Sequence, residues 1–355
     1  MPPAPLGPPL RLRCALQAAP LILPTLTPRC DWLPPHDVVA DEARLEWRSD
    51  GGPGQCGPWQ AAPNSSLSLP PGALRPGGRC AWRVQMRQEP GTESPWSAWA
   101  EAEAGPDLAA WDAAWITAEV PGAPLLRCRF SIERPLASVT AVRWYWAALG
   151  VADLWLNAER MNAPGLASYQ GDPAVRNEVW ALALPVPALR AGVNLLTLHL
   201  GGGFHETHGR GRRAVTGMCE IRHDDGTVQR IPTLPETWLA TDGPVRHDDV
   251  YDGECHDARL GPIGDDPTGE DRRSWVPVRR VPPPTGPLVA ARCPLPGPAA
   301  EIAPASERQV HPCCRIVDFG RMVSGAVRLE VTAQRGEVLT LRHAEELTPK
   351  GLLLT

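Results

Sequence analysis

Punctuation constrains this chain more than any single motif. Its 355 residues include 42 Pro and 33 Gly, spread along the whole length. Proline removes a backbone donor and breaks helices, so apolar runs cut this often fold as short strands joined by turns. No stretch sustains the 3.6-residue apolar period of a helix. The hydrophobic fraction of 43% excludes wholesale disorder. The chain is therefore expected to be all-β, built as tandem β-sandwich or jelly-roll domains.

Charge and cysteine usage narrow the function classes. Net charge is −5, and no basic stripe supports a nucleic-acid or anionic-membrane partner. The runs at Arg210–Arg213 and Arg272–Arg280 are expected to be solvated surface. Ten Cys show no C-x-x-C pair and no zinc-finger spacing. Reduced, mostly buried thiols are the expectation. Arg11 and Arg13 before CALQAAPLILP imitate a signal peptide, but Pro20 and Pro24 interrupt the apolar run and no small-residue cleavage site follows. The same residues fit a first strand, so a cytoplasmic location is expected.

Residues 1–9 read as a Pro-rich disordered tail. Leu10, Leu12, Cys14 and Leu16 then alternate with Arg11 and Arg13, as a half-buried strand does. Later, Leu74, Pro76 and Gly77 form a turn feeding the strand Cys80 to Arg87, and Trp96-Ser97 opens the next. This order over residues 10–104 resembles a fibronectin type III domain, with Cys80 where that family has its corner Tyr. The tryptophans here are read as core.

Residues 105–240 form a second β-block. Its strands are expected at 125–132, 138–149, 153–156, 178–184, 194–200, 214–222 and 228–232. Asp225-Gly226 is its strongest hairpin signal. Residues 241–355 read as a third, incomplete sandwich. Arg315 to Thr355 is expected to alternate strands and turns, with Gly320, Gly325 and Gly336 at the turns.

Several motifs occur in one order. They are Leu154-Trp155-Leu156-Asn157, Leu189-Arg190-Ala191-Gly192-Val193-Asn194, Tyr251-Asp252-Gly253-Glu254-Cys255-His256-Asp257-Ala258-Arg259, Asp318-Phe319-Gly320-Arg321, and Leu341-Arg342-His343-Ala344-Glu345. Together they resemble the N-terminal, non-catalytic region of bacterial α-L-rhamnosidases. That resemblance implies a glycoside hydrolase whose complete form removes terminal α-L-rhamnosyl groups with inversion, from an (α/α)₆ barrel following the β-domains. Inverting hydrolysis needs two carboxyl groups roughly 6.5–9.5 Å apart with water between them. No helical repeat here supplies such a barrel, so no catalytic residue is expected in this chain. Its partners would be rhamnose-containing glycans and the missing catalytic portion. The alternative is a stand-alone carbohydrate-binding or scaffold protein.

The resemblance also implies a sugar site on the second domain, in some members with Ca²⁺. The candidate positions are Asn157, Asp172, Arg176 and Phe204; Asp172 and Arg176 match the family pattern, whereas family aromatics fall on Gln170 and Pro173 here, and Gly202-Gly203-Phe204 stands where the family has Asn-Gly-Trp. No other cofactor is expected. The acidic cluster Asp248, Asp249, Asp252, Glu254 and Asp257, with His247 and His256, has the oxygen ligands Ca²⁺ uses but not EF-hand spacing. A structural junction with Arg259 pairing a carboxylate is the preferred reading. His205 and His208 are three apart, yet GGGF and GRGRR around them indicate a loop rather than a metal site. Asp318, Gly320, His343 and Glu345 are read as structural, the last two sharing one strand face.

Overall fold

The computed structural model describes residues 6–35, 41–88, 92–162, 171–261 and 273–354. It forms two compact units. One reaches Leu295 and holds the first two β-domains; the other runs from Pro296 onward.

The first domain is a two-sheet sandwich. One sheet joins Leu10–Cys14, Arg29–Leu33 and Ser66–Ser68; the other joins Gln55–Cys56, Glu42–Ser49, Arg79–Arg87 and Ala100–Glu103, with Gln60–Ala61 pairing onto Glu42–Ser49. Strand alternation sends Leu45, Trp82, Val84 and Met86 inward to meet Cys14, Cys30 and Trp32. The Trp32 indole donates to Met86 Sδ at 3.0 Å. Cys80 is buried here, and burial pushes its thiol up to about 11. The tail is not free throughout, since Leu6 is buried.

The tryptophans of this domain divide, contrary to the expectation that all are core. Trp32 and Trp82 are interior, whereas Trp59, Trp96 and Trp99 lie half-buried on the outer face. There they alternate with guanidinium groups in the order Arg87, Trp59, Arg44, Trp96, Arg83, Trp99, Arg48, with separations of 4.4–5.4 Å. Planar cations stack on indole faces, so a half-buried aromatic row here is stabilised without entering the core. Ser94 and Ser97 hold the row in place: their hydroxyls accept from Met86 N and Val84 N, each at 3.0 Å. The strand itself starts later, at Ala100.

The second domain packs a six-stranded sheet against a seven-stranded one. Strands Pro124–Ser131, Val139–Leu149, Val151–Leu156, Asn177–Leu184, Val193–Gly201, Ala214–His223 and Val228–Pro232 fall within two residues of the expected spans. The hairpin at Asp225-Gly226 forms, with Gly226 at φ +83°. Trp144, Trp146 and Trp238 fill the interior. Trp144 stacks on Trp146 at 6.5 Å and meets Trp238 at 6.5 Å. Gly217 makes room for this cluster, because a Cβ there would lie 2.6 Å from the Trp144 ring.

The expected boundary at residue 240 is corrected by strand pairing. It falls inside Trp238–Asp242, and Val276–Pro277, Arg279–Arg280 and Leu288–Ala290 add edges to the same two sheets. These late strands are short and proline-bounded, so period-two reading misses them. The first two domains meet through Glu103, which accepts from Arg143 Nη2 at 2.6 Å and Arg222 Nη1 at 2.9 Å. Ile22 packs into the adjoining cluster with Trp115 and Tyr145.

The unit from Pro296 holds one hairpin, Ser306–His311 with Cys314–Asp318. The strands expected through Gly325 and Leu341 do not form, and Leu329, Val331, Val338 and Leu339 are exposed. A strand's backbone groups need a neighbouring ladder, and none pairs with this stretch among the described residues. His343 and Glu345 therefore lie in exposed, unpaired chain rather than on a strand face.

Candidate functional site

The richest polar cluster sits at one end of the second sandwich. After the strand Val193–Gly201, the chain turns at Gly202 into a five-residue helix, Gly203–Thr207. Gly203 has φ +50° and Gly202 leaves no room for a Cβ beside Glu206. The hairpin Val245–Asp249 with Gly253–His256 lies against this helix. Asp248 Oδ2 accepts from Gly202 N at 2.5 Å, and Asp249 Oδ2 from Thr207 Oγ1 at 2.7 Å.

Arg213 clasps these pieces together. Its Nη1 donates to Asp248 Oδ1 at 2.7 Å and to Leu200 O at 3.0 Å, and its Nε to Glu206 Oε2 at 2.9 Å. Its side chain is only 13% exposed. This corrects the solvated-surface expectation for Arg213, while Arg210 and Arg212 of the same run are exposed as expected. Burial alone would raise Glu206, but the hydrogen bonds from Arg213 outweigh it and hold the carboxyl low. Asp249 is held low by the backbone donors Asp252 N and Tyr251 N and by Thr207.

Phe204 projects beside Tyr251 at 6.2 Å and His208 at 5.5 Å. Tyr251 is 73% exposed. The short loop thus places an aromatic pair next to the Asp248–Arg213–Glu206 clasp. Such a surface can pack a sugar's C–H face while polar groups meet its hydroxyls.

The structure separates the four candidate sugar residues. Arg210 Nη1 donates to Gly171 O at 3.2 Å, which ties the turn bearing Asp172 and Arg176 to the Phe204 loop. Asp172 Oδ1 accepts from Ala174 N at 2.9 Å, and Arg176 faces Glu178 at 3.2 Å. Asn157 does not join them. It lies beside Leu195, whereas Gly201 pairs with Val151 at the other end of that strand pair. There Asn157 is buried, donates to Ala188 O and Asn194 Oδ1, and accepts from Leu195 N. At φ +57° its side chain holds a tight turn, as Asn tolerates. Gln170 lies outside the described residues.

The structural candidates resolve as local turns. Asp252 N donates to Asp249 Oδ1, and Glu254 stands exposed across from Asp248. Asp257 caps Ala258–Leu260 and receives Arg259 through both oxygens at 2.8 and 2.7 Å. Those hydrogen bonds lower Asp257 to about 2. Asp318 Oδ1 accepts from Gly320 N at 2.7 Å, with Gly320 at φ +70°. Among the described residues no group of three His, Cys, Asp or Glu is arranged to hold a metal ion.

Sequence reading missed the groups beneath the clasp. His199 faces outward from a strand whose Leu196, Leu198 and Leu200 enter the core, stands opposite Asp153, and meets Trp155 edge-on at 6.4 Å. Burial lowers it to about 4. Asp153 is raised by burial, against the opposing pull of Arg160. Only the two-residue alternation along each strand carries any signal for this pairing.

Comparisons with known proteins place these domains. The family model of the Rha78A-like N-terminal immunoglobulin domain matches residues 9–106. That of the alpha-L-rhamnosidase N-terminal domain matches residues 137–296, and that of the bacterial alpha-L-rhamnosidase concanavalin-like domain matches 308–355. An alpha-L-rhamnosidase of Streptomyces avermitilis is 30% identical over 261 residues, covering 70% of this chain and 25% of the relative. One of Formosa agariphila is 24% identical over 300 residues, covering 77% and 32%. The chain thus spans about a quarter to a third of these curated relatives. The fold matches alpha-L-rhamnosidase of Dictyoglumus thermophilum at TM-score 0.77 and 22% identity, covering 89% of this chain and 39% of that one. It also matches the Streptomyces avermitilis enzyme complexed with L-rhamnose at TM-score 0.80 and 18% identity, covering 98% and 52%. With its immunoglobulin-type, rhamnosidase N-terminal and concanavalin-like segments in that order, the chain belongs to the bacterial alpha-L-rhamnosidase family as its N-terminal β-domain region.

Proposed function

We propose that this chain serves a glycoside hydrolase that removes terminal α-L-rhamnosyl residues with inversion, as its N-terminal accessory region. The observation supporting this is the ordered match of three rhamnosidase-associated domains along one chain. Among the described residues the sole α-helix is five residues long, so none of them belongs to a helical barrel bearing paired carboxylates. Assay of an aryl α-L-rhamnoside with this chain alone should give no turnover above buffer. Sustained hydrolysis would overturn the accessory reading.

The second domain is proposed to contact rhamnose-containing glycans through the Phe204–Tyr251 surface, with Asp172 and Arg176 on the neighbouring turn. The aromatic pair beside the clasp, with Tyr251 exposed and Phe204 half-buried, supports this. Calorimetric titration with L-rhamnose, with and without Ca²⁺, checks it; no heat in either condition removes it. The stand-alone binding protein is separated from the accessory region by the neighbouring coding sequence, where a downstream frame encoding the rest of the third domain and a helical barrel supports the accessory reading. A cytoplasmic location belongs to this proposal and is checked by fractionating cells that express the natural gene.

A further inference from the structure

A cavity of about 650 Å³ lies outside the Phe204–Tyr251 surface, and neither of those residues lines it. One wall is the connector between the first two domains, with Trp111 and Trp115; the other is the stretch from Arg280 through the proline triplet to Leu288. Backbone bonds fix both walls. Val281 N donates to Trp115 O at 2.9 Å, and Arg280 pairs with Ile116 across adjacent strands. The Trp111 indole donates to Thr216 Oγ1 at 2.8 Å, which locks its ring. A rigid aromatic wall needs little ordering when a ligand arrives.

Asn177 also lines this cavity and is fully buried. Its Nδ2 donates to Pro173 O at 3.1 Å and Gly286 O at 2.8 Å, while its Oδ1 receives no donor. A buried acceptor left open is unfavourable, and a new donor relieves it. A ligand hydroxyl would satisfy it. Arg280 brings the charge: it is exposed, and no carboxylate lines the cavity. Its neighbour Arg279 is different, since it pairs with Glu119 at 2.8 Å.

We infer that this cavity binds a saccharide ring carrying a carboxylate. The indole walls take the ring's C–H face, Asn177 takes a hydroxyl, and Arg280 pairs with the carboxylate. The choice of a saccharide rests on the glycosidase reading above; the negative charge rests on Arg280.

Titrate the whole chain with D-glucuronate and with D-glucose, following heat and tryptophan fluorescence. Glucuronate should bind saturably, and at least tenfold more tightly than glucose. Arg280→Gln, at an exposed position, should erase that preference. Trp111→Leu, with its fold checked by circular dichroism, should weaken both sugars. Equal binding of the two sugars, no binding of either, or a preference that survives Arg280→Gln would overturn the inference. Benzoate binding without glucuronate binding would overturn the saccharide assignment. None of these outcomes bears on the rhamnose titration or the hydrolysis assay, so the two readings fail separately.

Discussion

Two stretches of this chain have nearly the same pattern and different fates. Val139–Leu149 reads VTAVRWYWAAL, and residues 325–341 read GAVRLEVTAQRGEVLTL. Both alternate apolar and polar residues as strands do. The first is paired on both sides, by Asn177–Leu184 and Ala214–His223, and its Trp144 and Trp146 are interior. The second has no strand partner among the described residues, and its apolar side chains are exposed. A strand pattern supplies a face, but a strand exists only when a ladder and an opposing layer complete it.

The largest contrast should appear in proteolysis. Trypsin should cut at Arg321, Arg328, Arg335 or Arg342 orders of magnitude faster than at Arg143, because cleavage tracks local opening. Arg143 is 15% exposed and paired to Glu103, whereas Arg328 is 74% exposed. Mass mapping of early fragments checks this, and equal cutting would dissolve the distinction. Next, Trp144→Ala should cost about 3–5 kcal/mol in urea unfolding, because it empties an interior site.

Protonation breaks the same side of the comparison. His199 sits near 4 when folded, against an ordinary 6.5, because burial disfavours its charge. Asp248 draws it upward, while Arg213, Arg160 and His256 push it down. The unfolded chain binds the extra proton first, so stability should fall as pH drops from 6.5 towards 4. The loss is about 3 kcal/mol at order of magnitude. His199→Gln should flatten the profile across that window. The smallest effect should come from Val338→Lys, at a site 86% exposed. Its change should stay within about 0.5 kcal/mol. A larger loss would show that the second stretch is packed after all.

Thiol labelling gives an independent reading. Cys56, Cys255, Cys293, Cys313 and Cys314 are exposed, while Cys14, Cys30, Cys80, Cys128 and Cys219 are buried. The exposed five should react at once with a thiol reagent at pH 8, and the others only on unfolding. Burial raises Cys219 and Cys128, and Cys14's thiol raises Cys30 further, so none offers thiolate while folded.

The amino-acid sequence by itself determined the all-β architecture, the positions of seven strands of the second domain, its Asp225-Gly226 hairpin and the family. Those are local signals, because alternation and turn chemistry act over a few residues. Tertiary structure decided which candidates meet. It set Asn157 at the far end of its strand pair from Phe204, and brought Arg213 onto Asp248 across 35 positions. It turned Trp59, Trp96 and Trp99 outward onto arginines and buried His199 opposite Asp153. It also left residues 325–341 without a ladder. The physical reason is common to all of these: a side chain's pattern selects a face, but its partner is fixed only by which distant strand folds beside it.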